Sequence, residues 1–179
     1  MTPEQILNFW FDPNSQSYWF HPSADFDAEI RQRFHTIWQQ AARAELSHWR
    51  SSLSGRRAEI ILLDQFSRHL HRGSAQAFSQ DGMAVVLTQE ALRQPGIAAL
   101  SVHERQFLLL PLMHSESLWL HQQARPLFQE WTTDKILALA DSHRAIIERF
   151  GRYPQRNALL GRPSTSAEIQ YLLNGGRLA

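Results

Sequence analysis

Residues 26–44 read Phe26-Asp27-Ala28-Glu29-Ile30-Arg31-Gln32-Arg33-Phe34-His35-Thr36-Ile37-Trp38-Gln39-Gln40-Ala41-Ala42-Arg43-Ala44. Phe26, Ile30, Phe34, Ile37, Ala41 and Ala44 recur every three or four positions, and Asp27, Arg31, Arg33, Gln39 and Arg43 fill the gaps. At 3.6 residues per turn the apolar set shares one face, so the stretch predicts an amphipathic helix of about five turns. The same period returns along the chain, and no segment shows the alternation that strands need. The expected fold class is all-α, with about eight helices in a single domain over residues 1–179.

Toward the amino terminus, Thr2 before Pro3 is a helix start, leading into Ile6, Leu7, Phe9 and Trp10, and Asp12-Pro13-Asn14 ends it. Tyr18-Trp19-Phe20 is an aromatic patch expected to staple its loop to the core. Beyond a polar break from Ser51 to Gly55, a helix from about Arg57 to Leu70 carries Ile60, Leu63, Phe66 and Leu70 on its core side. Asp64, Arg68 and His71 form a polar stripe on that helix at i, i+4 and i+7. Asp81 is expected to cap the next helix, which Gln94-Pro95-Gly96 closes.

Ser101 and Glu104 have the spacing of a capping box. The helix they open is interrupted by Pro111, which withholds an amide hydrogen and predicts a bend. His114, Ser115 and Glu116 follow at once, so polar side chains are expected just past a kink inside an apolar helix. Arg125-Pro126 is expected to set off a short helix with Leu127, Phe128 and Trp131, after which Thr133 caps another. On that helix Ile136, Leu139, Ala140, Ile146, Ile147 and Phe150 form an apolar arc with His143 near its centre. A histidine so placed must lose much of its water.

The stretch His143–Arg162 carries five arginines, at 144, 149, 152, 156 and 162, against one acid, Glu148. Cations gathered at a helix end favour an anion. Thr165 and Glu168 then make a second capping box for a last helix ending at Asn174-Gly175-Gly176.

Composition bounds the function. Eighteen basic and 17 acidic residues leave a formal net charge of +1, so no global field recommends a nucleic-acid partner or a membrane surface. Lys135 is the sole lysine. Without cysteine there is no disulfide, thiolate metal site or thiol nucleophile. With no cleavable apolar leader and no run of about 18 apolar residues, a soluble cytoplasmic protein is expected.

Trp19-Phe20, Leu62-Leu63-Asp64-Gln65-Phe66-Ser67-Arg68, Pro111-Leu112-Met113-His114-Ser115-Glu116 and His143-Arg144 through Gly161-Arg162 together resemble a bacterial family catalogued as domain of unknown function 924. The likeness is collinear over nearly the whole chain. It departs at Ser67, where the family usually has proline, and at Tyr153, where phenylalanine is common. The resemblance implies antiparallel helix pairs packed as a tetratricopeptide-repeat-like superhelix, and it implies no reaction.

The expected site is a central Asp/Arg/His pocket for a small anionic ligand. His114, Glu116 and His143 are the candidates for proton transfer, and Asp64, Arg68, Arg144, Arg152, Arg156 and Asn157 are the candidates for binding. The ligand types suit a divalent ion, but neither HExxH nor ExxH spacing occurs, so no metal ligand is assigned and no cofactor is expected. The alternative is an interaction scaffold whose polar cluster is structural, with an acidic peptide as partner.

Overall fold

The computed structural model describes residues 1–176, and among these every regular element is helical. The chain forms two compact units, residues 1–72 with 76–99 and residues 73–75 with 100–179.

The first unit opens with α1 (Pro3–Trp10), where Thr2 and Gln5 form a capping box, with Pro3 at the first helical position. Asp12-Pro13-Asn14 does end α1, but it also restarts the chain. The Asp12 carboxylate accepts the Asn14 amide at 2.8 Å and caps a single turn, α2 (Pro13–Gln16). The aromatic staple is partial: Trp19 is buried and its indole donates to the Trp10 carbonyl at 3.0 Å, whereas Tyr18 and Phe20 stay exposed.

Helix α3 (Ala24–Ala42) buries Phe26, Ile30, Phe34, Ile37, Trp38 and Ala41, the face expected from the period. Ala44 lies outside that face: it is exposed, with φ 59 just beyond the C-cap Arg43. A short 3₁₀ turn, Ser47–Ser51, leads to α4 (Leu53–Ile61). Gly55 belongs inside α4 rather than to the break, because the Trp49 backbone packs on it. A Cβ there would lie 1.9 Å from the Trp49 carbonyl oxygen.

The expected helix from Arg57 to Leu70 is continuous but not uniform. Helix α4 passes into a π turn, Leu62–Phe66, and then α5 (Ser67–Leu70). One residue more per turn shifts the register, so Asp64 and Gln65 are buried along with Leu62, Leu63 and Phe66. Helix α6 (Asp81–Ala91) completes the unit. Its N-cap is Gln80, without a side-chain bond. Asp81 does not cap it: its carboxylate lies 3.1 Å from Arg68.

In the second unit, α7 (Val102–His114) begins with the Ser101–Glu104 capping box and holds Pro111 in its last turn. It ends at His114, so Ser115 and Glu116 leave the helix and the two polar side chains need not splay apart as they would on a regular helix. Helix α8 (Leu118–Trp131) runs through Pro126, against the expected break. The hydrogen bond that proline forfeits falls at Gln122, and Pro126 and Gln122 both lie at exposed positions.

Helix α9 (Asp134–Phe150) is capped by Thr133 and packs on α8 and α7. Gly151, at φ 70, supplies the left-handed residue that stops it. The chain then turns through a 3₁₀ segment, Pro154–Arg156, toward α10 (Ser166–Leu173), whose capping box is Thr165 with Glu168.

Candidate functional site

The expected site residues fall into two clusters, one within each unit. In the first, the π turn holds Asp64 buried, 3.0 Å from Arg68. Arg68 also donates to the Asp64 carbonyl at 2.6 Å and lies 3.1 Å from Asp81. The pair is therefore a buried junction between α5 and α6, not a surface salt bridge. Beside it, Asp27 joins His69 at 2.6 Å and Arg72 at 2.7 Å, and Arg50 grips the fully buried Glu59 through two bonds of 2.7 and 2.6 Å.

The second cluster is built on Tyr153, which is completely buried just past the end of α9. Its hydroxyl donates to the Met113 carbonyl at 2.5 Å and lies 3.2 Å from His121 Nε2. Its ring meets His143 edge to face at 5.7 Å, and the Arg156 guanidinium covers it at 4.6 Å. One aromatic residue thus ties the ends of α7 and α9 to α8.

Glu116 closes the cluster. Its carboxylate accepts the Tyr153 amide at 2.7 Å and two guanidinium bonds from Arg162 at 2.6 and 2.9 Å. Burial pushes the Glu116 carboxyl upward, but the hydrogen bonds from Arg162 and Tyr153, with the charges of Arg162 and Arg156, outweigh it and hold it below the usual glutamate range. Arg162 also donates to Asn157 at 3.0 Å, and the buried Asn157 amide donates to Ser164 at 3.0 Å.

Two other arginines of the stretch, Arg152 and Arg144, have local carboxylates. Arg152 grips the buried Glu168 with bonds of 2.7 and 2.8 Å and donates to the Pro163 carbonyl. That contact, with the Thr165 cap, drives Glu168 down to about 2. Arg144 lies 3.5 Å from Asp141 and 3.3 Å from Glu148. Arg156, buried, donates to the His114 carbonyl at 2.9 Å.

His143 behaves differently. It is 4% exposed and its Nδ1 lies 2.8 Å from the Leu139 carbonyl. A carbonyl only accepts, so Nδ1 carries the hydrogen and Nε2 carries the lone pair. Burial pushes the imidazole down to about 4, the Leu139 carbonyl opposes this in part, and the nearby charges of His114, His121 and Arg156 lower it further. Burial also lowers His121. His114 is half-buried at the end of α7.

Tyr153, His121, Arg162 and Glu168 were not among the expected site residues. A signal existed for one of them: Arg162 ends the arginine-rich stretch, whereas His121 lies on α8 and not on the helix that ends at His114. Among the described residues no group of three His, Asp or Glu is placed to hold a metal ion, and no helix is long and apolar enough to cross a membrane.

A family model described as a bacterial protein of unknown function, DUF924, matches residues 6–176. Among solved structures, a protein of unknown function from Agrobacterium tumefaciens is similar at 37% identity, with a TM-score of 0.91 over 97% of each chain. No curated protein matches the chain significantly. Its model match spanning nearly all of its length, the chain belongs to this bacterial family of unknown function, DUF924.

Proposed function

We propose that the second unit binds a small anion bearing its own hydroxyl, such as hydrogen phosphate or a hydroxy acid, beside His143, His114 and Arg156. The supporting observation is His143 itself. It is buried and neutral, and among the described residues no hydrogen bond engages its Nε2 lone pair. A ligand hydroxyl supplies the missing hydrogen, while the ligand's negative oxygens are attracted by the positive groups that depress this imidazole.

The chemistry available there is proton transfer. A neutral imidazole accepts the hydroxyl proton at Nε2, and the resulting imidazolium is stabilised by the ligand's own charge. Glu116, Arg144, Arg152 and Asn157 take the role of a frame in this reading, because each already holds partners within the chain. Asp64 and Arg68 serve the first unit as a buried junction.

Thermal melts with inorganic phosphate against chloride at matched ionic strength test the proposal. Phosphate should raise the wild-type melting temperature saturably, and His143→Gln and Arg156→Lys should abolish the rise. No saturable rise in the wild type sinks it.

A second reading has its own support. The two-point pairs Arg162–Glu116 and Arg152–Glu168 are the closed geometry of a structural network. In that case the protein is an interaction scaffold of tetratricopeptide-like helix pairs. Phosphate then leaves melting unchanged, while a glutamate-rich peptide binds and keeps binding after His143→Gln.

A further inference from the structure

The first unit contains a cavity of about 730 Å³ that none of the residues discussed above as a site enters. Its floor is aromatic. Phe9 and Phe26 stack at 5.5 Å, and Tyr18 stacks on Phe26 at 4.8 Å with an interplanar angle of 21°. Phe9 and Phe26 are buried, whereas Tyr18, which also lines the cavity, is 38% exposed. The volume lies in the range typical of small-molecule sites, about 300–1,000 Å³.

The rim is rich in neutral hydrogen-bonding groups with capacity to spare. Asn8 and Asn14 line the cavity, and among the described residues no hydrogen bond engages either carboxamide. Ser15 lines it as well. It is only 5% exposed, yet no hydrogen bond among the described residues uses its hydroxyl. The Ser15 hydroxyl keeps access to solvent, so a ligand or water in the cavity can partner it. Gln5 contributes one more donor, since only its carbonyl oxygen is engaged, by the Thr2 amide at 2.8 Å.

The charged side chains that line the cavity are Glu29, Asp12 and Arg33. Arg33 is held by Glu29 at 2.5 Å and lies over the Phe9 ring at 4.5 Å, so its guanidinium already has an anion and a π face. Asp12 accepts the Asn14 amide. Nothing in this arrangement favours a phosphate.

We infer that this cavity binds an uncharged planar heterocycle of the nucleobase kind, free or as a nucleoside, stacked on Tyr18 and read at its edge by Asn8, Asn14 and Ser15. A carboxamide offers a donor beside an acceptor in one plane, which complements the alternating donors and acceptors of a nucleobase edge. Stacking on a tyrosine face supplies the rest of the attraction without requiring charge. The site is independent of the anion site in the second unit.

Calorimetric titration with adenosine tests the inference, with 5′-adenosine monophosphate and glucose as controls. Adenosine should bind saturably, the monophosphate no more tightly, and glucose not at all. Tyr18→Ala should weaken adenosine about tenfold, whereas Tyr18→Phe should leave it nearly unchanged. Because Tyr18→Ala removes a packed ring, Asn8→Ala at an exposed position provides a second variant and should weaken binding several-fold with an unaltered melting temperature. Four results overturn the proposal: no saturable binding of adenosine, binding insensitive to both Tyr18→Ala and Asn8→Ala, tighter binding of the monophosphate, or equal binding of glucose.

Discussion

Replacing Glu116 by glutamine should unfasten the second unit at its centre. The carboxylate receives three hydrogen bonds, from the Tyr153 amide at 2.7 Å and from Arg162 at 2.6 and 2.9 Å. Glutamine keeps an oxygen for the Tyr153 amide but turns an NH₂ group toward a guanidinium that has nothing to accept with. Removing one member of a fully buried ion pair costs about 3–5 kcal/mol. Here the two side chains are 26% and 24% exposed, so solvent screening reduces the expected loss to about 2–3 kcal/mol. For a chain of this length each kcal/mol moves the midpoint by about 2–4 °C, so melting should fall by about 5–10 °C at pH 7.

The difference should also depend on pH. The folded-state carboxyl of Glu116 is held below its ordinary value of 4.5. Its contribution is therefore complete above pH 4.5 and is lost as pH falls through the lower folded value. Melts followed by circular dichroism at pH 7 and pH 3 should show the two proteins converging in acid. A midpoint change under 1 °C at pH 7, or a gap that widens in acid, refutes this view of Glu116.

Two further outcomes are expected. Gly55→Ala puts a methyl group 1.9 Å from the Trp49 carbonyl oxygen, and that backbone cannot rotate away, so denaturant titration should show a loss of about 1–3 kcal/mol or more; an unchanged midpoint contradicts the packing described. His143 has a folded value of about 4 against an ordinary 6.5, so it contributes stability that is complete above pH 6.5 and is lost as pH falls to 4. His143→Gln should flatten the stability profile of the wild type across that window by about 3 kcal/mol, and a parallel profile in the variant speaks against a buried neutral imidazole.

The helical fold was legible wherever its cause was local. The face of α3 and the caps at Thr2, Ser101, Thr133 and Thr165 need only spacing and side-chain chemistry within one or two turns. The burial of His143 was legible for the same reason, since the arc on α9 surrounds it. Pro126 misled because its local cost to a helix is outweighed where tertiary packing holds the helix, and the packing of α8 on α7 and α9 is not written in the local sequence. The π turn at Leu62–Phe66 and the true place of Gly55 depend on what packs against them.

Partner choice was the least legible part of the candidate site. Glu116 meets Arg162 across 46 residues and Arg152 meets Glu168 across 16, so an excess of arginine could be counted but not assigned. Once the folded chain supplies those carboxylates, much of the apparent demand for an external anion is met internally. What is left is a neutral imidazole with positive neighbours.

The state of that imidazole is the most direct test of the proposed anion site. The His143 ring should be titrated by NMR, through its long-range nitrogen couplings, in chloride and then in rising inorganic phosphate. Its pKa should be about 4 in chloride and should climb saturably toward neutrality as phosphate fills the site. A value that phosphate leaves unmoved, while the fold remains intact, would contradict anion binding beside His143.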